Sequence, residues 1–509
     1  MDIGYSIDVK KPLVLYWARR DLRLLDNPAL LAAAAFSQKT GTDFLPIFIL
    51  EDYMAEARLE FQFGYPARWF LSQALPPFVQ NFQHFLLVQA KAAGYLVALS
   101  QKYQLTIFVN DDVYEDFYKQ IEKLKFAGVD VRIEEDALSV AKETRSQEGN
   151  LYSIFTPFKK RIWVNFVQKK PQGKFSDKDL NYLPAAELAN LSKQIKSTAD
   201  AIMVTFSTNR LLQVDTETID LEQLIPPPAL AGWYVSEAEA LKRFADYLKS
   251  GDLENYDINR DSLELDAEKE TNQHAYSGKT SKMSLALAWG LVSSRTLMAR
   301  IQKYFDEDFT NPDSSRVEKG ALIYISELIW REFYRYQLFH HPELMQTEFQ
   351  KRFRGTINWV GNKVAKERFL AWIKGETGYP VVDAAMKQIA ATGWMHNRAR
   401  MIVASILTKN LGVDWRWGQE YFRAALIDLD EASNNGGWQW GASVGADPKP
   451  IRIFNPELQA KNYDQSAVYR NKWLKEKDEI LVTSKVPIVE HRQARGEALK
   501  RYGLGDTKP

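Results

Sequence analysis

The segment from Trp394 to Trp440 holds five of the chain's fourteen tryptophans and closes on Asp428-Leu-Asp430-Glu-Ala-Ser-Asn434-Asn435-Gly436-Gly437-Trp438-Gln439-Trp440. Indoles are seldom wholly buried, and their N–H groups want partners when they are. Set among amides, carboxylates and arginines, they suit either a tryptophan-rich helical core or an aromatic-lined site for a donor- and acceptor-rich heterocycle. Asp428 and Asp430 could suggest a metal, but their neighbours are aromatic and amidic. With no cysteine and six scattered histidines, no metal site is expected.

Three further constellations carry possible chemistry. Glu327, Trp330 and Arg331 stand at i, i+3 and i+4, which puts them on one helix face. They form either a surface ion pair or the wall of a pocket. Asn397, Arg400 and Met401 lie one turn apart and could bond a phosphate or a heterocycle edge, or simply pack helices. Ser277-Gly-Lys-Thr280-Ser281-Lys282-Met283-Ser284 runs into an apolar helical stretch. Its hydroxyls and backbone N–H groups suit an anion, although an ordinary helix cap reads the same way.

The elements that must position these residues fall into two regions. Residues 13 to about 135 alternate short β-rich runs (Leu13–Trp17, Asp43–Leu50, Leu105–Val109, Val129–Ile133) with helical stretches (Pro28–Phe36, Pro66–Gly94, Val113–Ala127). That alternation predicts a parallel, Rossmann-like sheet covered by helices. No G-x-G-x-x-G follows the first strand, so no dinucleotide site is expected there. Beyond Ser236 the pattern is helical: Glu237–Ser250, Ser284–Tyr304, Val317–Phe339, Val381–Ala391, His396–Leu411 and Trp417–Ala425. The expected division is an α/β domain over 1–135, a linker over 136–234 containing Pro226–Pro228, an all-α domain over 235–480 and a tail over 481–509.

Composition narrows the partners. The 66 basic and 65 acidic residues nearly cancel, so a nucleic-acid face would have to be local. Ala384 to Val413, with Lys387, Arg398, Arg400 and Lys409 and no acid, is the candidate stretch, against the plain alternative of a solvated helix face. The first residues show no signal-peptide pattern and no apolar run is long enough to span a bilayer. An intracellular, cytoplasmic protein with no membrane partner is expected.

Taken in order, these motifs resemble the photolyase/cryptochrome family. Trp17-Ala-Arg-Arg-Asp-Leu-Arg-Leu-Leu-Asp-Asn27 is similar to its opening strand and loop, and Tyr152-Ser-Ile-Phe-Thr-Pro-Phe158 to its linker. Thr280–Ser284, Glu327–Tyr334, Gly378–Met386, Thr392–Met401 and Asp428–Trp440 resemble its FAD-binding helical domain. The resemblance implies FAD held by Tyr256, Thr280, Ser281, Lys282, Met283, Ser284, Tyr324, Glu327, Arg331, Asn397, Arg400, Asp428, Asp430, Asn434 and Gly437. Asn434 would face the flavin N5. Tyr324 departs from the family's usual Trp, and about a dozen extra residues precede Thr280.

Within the family, Asn397 and Met401 resemble the class I photolyases that repair cyclobutane pyrimidine dimers. That likeness implies UV-damaged DNA as partner, with Arg260, Glu327, Trp330, Asn397, Arg398, Met401, Trp440 and Arg452 toward lesion and strand. Trp438, Trp415 and Trp359 match the family's electron-carrying tryptophans. A second antenna chromophore, a methenyl folate, deazaflavin or flavin, is implied, and Asn110-Asp111-Asp112 loosely resembles a folate site. A monomer is expected. The alternatives are a cryptochrome-like blue-light receptor, which would more typically carry a longer extension after Trp473, or a photolyase for another lesion.

Overall fold

The computed structural model describes residues 10–50, 64–136, 138, 142–191, 211–214, 217–220, 228, 230, 232–268, 279–313, 318–447, 451–476, 479–480 and 486–504. Ser277-Gly278, Pro226-Pro227 and most of the extra residues before Thr280 lie outside them.

Five parallel strands, β1 (Lys11–Ala18), β2 (Asp43–Leu50), β3 (Leu86–Gln89), β4 (Tyr103–Asn110) and β5 (Asp130–Glu134), form one sheet in the order β3-β2-β1-β4-β5. Helices α1 (Pro28–Thr40), α2 (Tyr65–Val79), α3 (Ala92–Ser100) and α4 (Glu115–Phe126) connect them. β1 is central because six consecutive residues, Leu13 to Ala18, are buried; a parallel strand covered on both faces needs such an apolar run. The helix expected over Pro66–Gly94 is two helices around the short edge strand β3. Four residues are too few for a period of two to be told from one of 3.6.

The second region is helical. Its framework is α6 (Glu237–Lys249), α7 (Ser284–Ala288), α8 (Ser294–Phe305), α9 (Lys319–His340), α10 (Asn362–Lys374), α11 (Pro380–Thr392), α12 (Asn397–Ser405), α13 (Trp415–Ala425) and α14 (Glu431–Gly441). The single helix expected over Ser284–Tyr304 is broken between α7 and α8. At the break Gly290 has φ +66°, and a Cβ there would fall 2.0 Å from the Arg20 carbonyl oxygen. Only glycine allows that approach, and Ser293 then caps α8 by accepting from the Thr296 N–H. After Ser405, α12 runs on as a π-helical turn over Ile406–Asn410.

Helix α5 (Phe155–Gln168) lies within the stretch expected as linker and buries Phe158, Ile162, Trp163, Phe166 and Val167. Another, α15 (His491–Arg501), lies within the expected tail. Its inward positions are Ala494, Ala498 and Arg501, too weak an apolar stripe to read from sequence. Tyr502, just beyond it, is buried and donates to the Ala442 carbonyl at 2.7 Å. Among the described residues no helix is long and apolar enough to cross a membrane.

Candidate flavin and DNA site

A cavity of about 500 Å³ opens within the helical region, lined by residues of α7, α9, α12, α13 and α14 and by the segments before α7 and α12. It is of the size that holds a small-molecule cofactor. Every residue expected to bind the cofactor lines it: Tyr256, Thr280, Ser281, Lys282, Met283, Ser284, Tyr324, Glu327, Arg331, Asn397, Arg400, Asp428, Asp430, Asn434 and Gly437. Of the residues expected to meet DNA, Arg260, Trp330, Met401 and Trp440 line it too, whereas Arg398 and Arg452 do not. Trp438 is in the wall; Trp415 and Trp359 do not line the cavity.

Local structure explains the placement. Asp430 caps α14 by accepting from the Ser433 N–H at 2.9 Å, so Asn434, Gly437 and Trp438 follow on the turns that face inward. Gly436 and Gly437 differ in purpose. A Cβ on Gly436 would come 2.1 Å from the Tyr334 ring, whereas one on Gly437 would meet nothing within 4 Å. Gly436 therefore seats α14 on α9, and Gly437 keeps the cavity wall low. On the opposite wall, Ser281 and Tyr324 share a hydroxyl–hydroxyl bond of 2.9 Å. Lys282, at φ +53°, turns its ammonium over the Trp394 ring at 4.8 Å.

The electrostatics favour an anionic, heterocyclic occupant. Arg400 holds Asp428 at 2.8 Å, and Arg335 holds Asp430 at 3.1 Å, keeping that carboxyl down at about 2. Arg331 is less well served. It donates to the Leu287 carbonyl at 3.1 Å, its Nε has no hydrogen-bond partner, and burial followed by Arg335 lowers its affinity for the proton. Asn434 donates its amide to the Gln419 carbonyl at 3.2 Å while its buried Oδ1 has no hydrogen-bond partner, and the same holds for the Trp438 indole N–H. Buried polar atoms are nearly always satisfied. Three orphans on one cavity fit a flavin nucleotide, with its phosphates, ring edge and hydroxyls.

Toward the exposed side the lining changes. Asn397 is exposed, while Glu327, Trp330, Met401 and Trp440 are partly so. Phe155 stacks on Trp330 at 3.6 Å and 8°, and the Arg452 guanidinium lies 5.3 Å over the Trp440 ring. Glu327 is ion-paired to Arg260; burial nevertheless pushes its carboxyl up, against the pull of that arginine. Arg398 is bound to Asp261 at 2.5 Å and lies over the Tyr463 ring at 4.3 Å. Sequence reading missed Tyr334, His396, Phe422 and Ser433 in the lining. Tyr334 and Ser433 sit within quoted motifs, one helical turn from Trp330 and Gly437, and that spacing was the available signal.

Residues 14–174 match the family model described as DNA photolyase, and residues 324–503 the one described as FAD binding domain of DNA photolyase. The chain is 34% identical to a deoxyribodipyrimidine photo-lyase of Synechococcus sp., over 91% of this chain and 88% of the relative. This chain belongs to the DNA photolyase family. As a member it is an FAD-binding lyase of DNA repair. A bacterial class III photolyase from Agrobacterium tumefaciens matches with a TM-score of 0.76 and 27% identity, over 99% of this chain and 100% of that one. A Synechocystis cryptochrome shares the fold, with a TM-score of 0.71 and 24% identity over 96% and 99% of the two chains.

Proposed function

We propose that the protein repairs cyclobutane pyrimidine dimers in DNA under light. The observation that carries this reading is the union, on one cavity, of two partly exposed indoles, Trp330 and Trp440, with Glu327, Asn397 and Met401 at one end and the buried Asn434 at the other. A dimer pairs and stacks badly, so turning it out of the duplex costs less than turning out normal bases. Trp330, backed by Phe155, and Trp440, backed by Arg452, offer it aromatic faces, each stacking contact contributing about 1–3 kcal/mol per base. Glu327, with its raised carboxyl, donates to the dimer carbonyls once the strand has drawn Arg260 aside, and steadies the charge that develops there. FAD, which Thr280, Ser281, Arg331, Arg400 and Asp428 would help to hold, would supply the light-driven electron for ring opening. Asn434, whose amide is held by the Gln419 carbonyl, presents its Oδ1 toward the cofactor without adding negative charge.

Trp438, Trp415 and Trp359 carry electrons inward to restore the reduced cofactor. Arg260, Arg398 and Arg452 meet phosphates, which positions the strand without reading its sequence. A light-harvesting second chromophore sits in or beside the α/β domain, and the protein acts as a monomer inside the cell. The test is to illuminate reduced protein with an oligonucleotide carrying one thymine dimer and follow return of the normal bases. Repair only in blue light is expected. Dark and illuminated samples that remain alike would end this reading in favour of a receptor, the use suggested by the shared fold of the cryptochrome.

A further inference from the structure

We infer that Glu348 makes Trp415, rather than Trp372, the station that takes positive charge from Trp438 in the tryptophan relay. The inference rests on the relay reading above. Trp415 is wholly buried, and its indole N–H donates to Glu348 Oε1 at 3.4 Å. Glu348, itself buried, is held by the Arg416 guanidinium at 2.7 Å. That guanidinium lies 4.9 Å from the Trp415 ring and also binds Asp414 at 2.8 Å. Glu348 therefore shares the Arg416 guanidinium with a second carboxylate, and Arg354 reaches only its backbone carbonyl, at 2.8 Å.

Trp438 has the opposite environment. Its indole N–H is buried with no hydrogen-bond partner among the described residues. Its ring packs on Phe422 at 5.0 Å and Trp372 at 6.0 Å, and on Gly418, where a Cβ would come within 2.0 Å of it. Gly418 is one helical turn from Trp415, so α13 brings the second indole toward the first. Trp372 competes for the charge. It touches Trp438 directly, but its N–H donates to the neutral Val403 carbonyl at 3.3 Å. Of the two onward indoles, Trp415 has a carboxylate on its N–H and Trp372 has none. In a low-dielectric interior one such charge decides where a cationic radical rests.

The electron count closes without a proton transfer. With FAD bound, Trp438 would give it one electron under light and take one from Trp415. Trp415 is refilled through Trp359, which is half-buried, by a thiol reductant in solution. The indole proton stays on Trp415, shared with Glu348. Glu348 is thus a positioning residue that acts through Trp415.

The test is flash excitation of the oxidised holoprotein, with the tryptophan radical followed by transient absorption and flavin content measured to confirm folding. Glu348→Gln keeps the acceptor and its shape while removing the charge. It is expected to lower the yield of long-lived radical about tenfold, and Glu348→Asp is expected to restore most of it. A Glu348→Gln yield equal to wild type, beside a collapsed yield in Trp415→Phe, would overturn the role of Glu348. So would a Glu348→Asp yield no better than that of Glu348→Gln. An undiminished yield in Trp415→Phe would instead remove the relay itself.

Discussion

Buried cations at the junction between the α/β and helical regions differ from those around the flavin cavity. At the junction each has a carboxylate. Arg295 bonds Asp26 at 2.8 Å and Asp136 at 2.6 Å, Arg23 bonds Asp136 at 2.6 Å, and the attraction holds the Asp136 carboxyl far below its ordinary range. Around the cavity, Arg331 leaves one nitrogen without a hydrogen-bond partner. Nearby, the buried Lys409 ammonium donates to the Gly441 carbonyl, and burial, reinforced by Arg452, lowers it to about 7. The ion pairs of Asp26 and Asp136 serve as scaffold. The cavity side is left under-satisfied, as a binding site must be before its ligand arrives.

The small cleft at the junction, about 50 Å³ and lined by Arg19, Arg23, Asn110, Asp111 and Asp112, sharpens the contrast. Asn110 donates to Asp21 and Asn27. Asp111 accepts from the Asp136 N–H at 2.8 Å and pairs with Lys142. Asp112 faces Arg19 at 3.4 Å and Arg335 at 3.6 Å. The segment that loosely resembled a folate site has polar contacts mostly within or next to the α/β domain, with Asp112–Arg335 reaching the helical region.

The largest effect should come from breaking the scaffold. Asp26→Ala leaves Arg295 buried with half its partners, and a loss of about 3–5 kcal/mol in unfolding free energy is expected by denaturant titration. A loss below about 1 kcal/mol would mean that these ions behave like surface pairs. Next, Trp330→Ala should weaken binding of dimer-containing DNA by about 1–3 kcal/mol. Equal affinity of wild type and variant, read by fluorescence anisotropy, would count against the aromatic end of the cavity.

Lys409 gives a pH signature. Its folded value lies below that of the unfolded chain, so between about 7 and 10.5 the unfolded state binds the extra proton. Stability should therefore rise with pH in that window, by at most about 1.4 kcal/mol per unit, and the rise should vanish in Lys409→Met. A slope that persists in the variant would assign it to another group. The smallest effect is expected at Arg452, whose side chain is 38% exposed. Arg452→Ala should weaken damaged and undamaged DNA alike and reduce the salt dependence by about one counterion. A selective loss for damaged DNA would show instead that Arg452 matters through Trp440.

Much of this molecule was legible before folding was considered. The strands β1, β2 and β4 announced themselves because parallel strands buried on both faces need a near-continuous apolar run, and the edge strand β5 by its alternation of Val131 and Ile133 with charged residues. The cavity residues were legible because a helix lets residues three and four apart share a wall, so Glu327, Trp330 and Arg331 could be grouped by counting. What escaped was set by neighbours distant in sequence. The strand β3 is too short to show its period, and α15 buries two alanines where a stripe of leucines would have been visible. The break at Gly290 exists because Arg20, 270 positions away, presses on it.

The amino-acid sequence by itself determined most of the residues that line the cavity of the helical region and most of the regular elements that carry them, because local spacing places side chains on a face. Tertiary structure alone decided how those residues are charged and partnered. It leaves Arg331, Asn434 and Trp438 with unsatisfied atoms, pairs Glu327 with Arg260, and sets a carboxylate from residue 348 against the indole of Trp415. Hydrogen-bond satisfaction and electrostatic environment depend on burial and on chain segments far apart in sequence, and neither exists until the chain has folded.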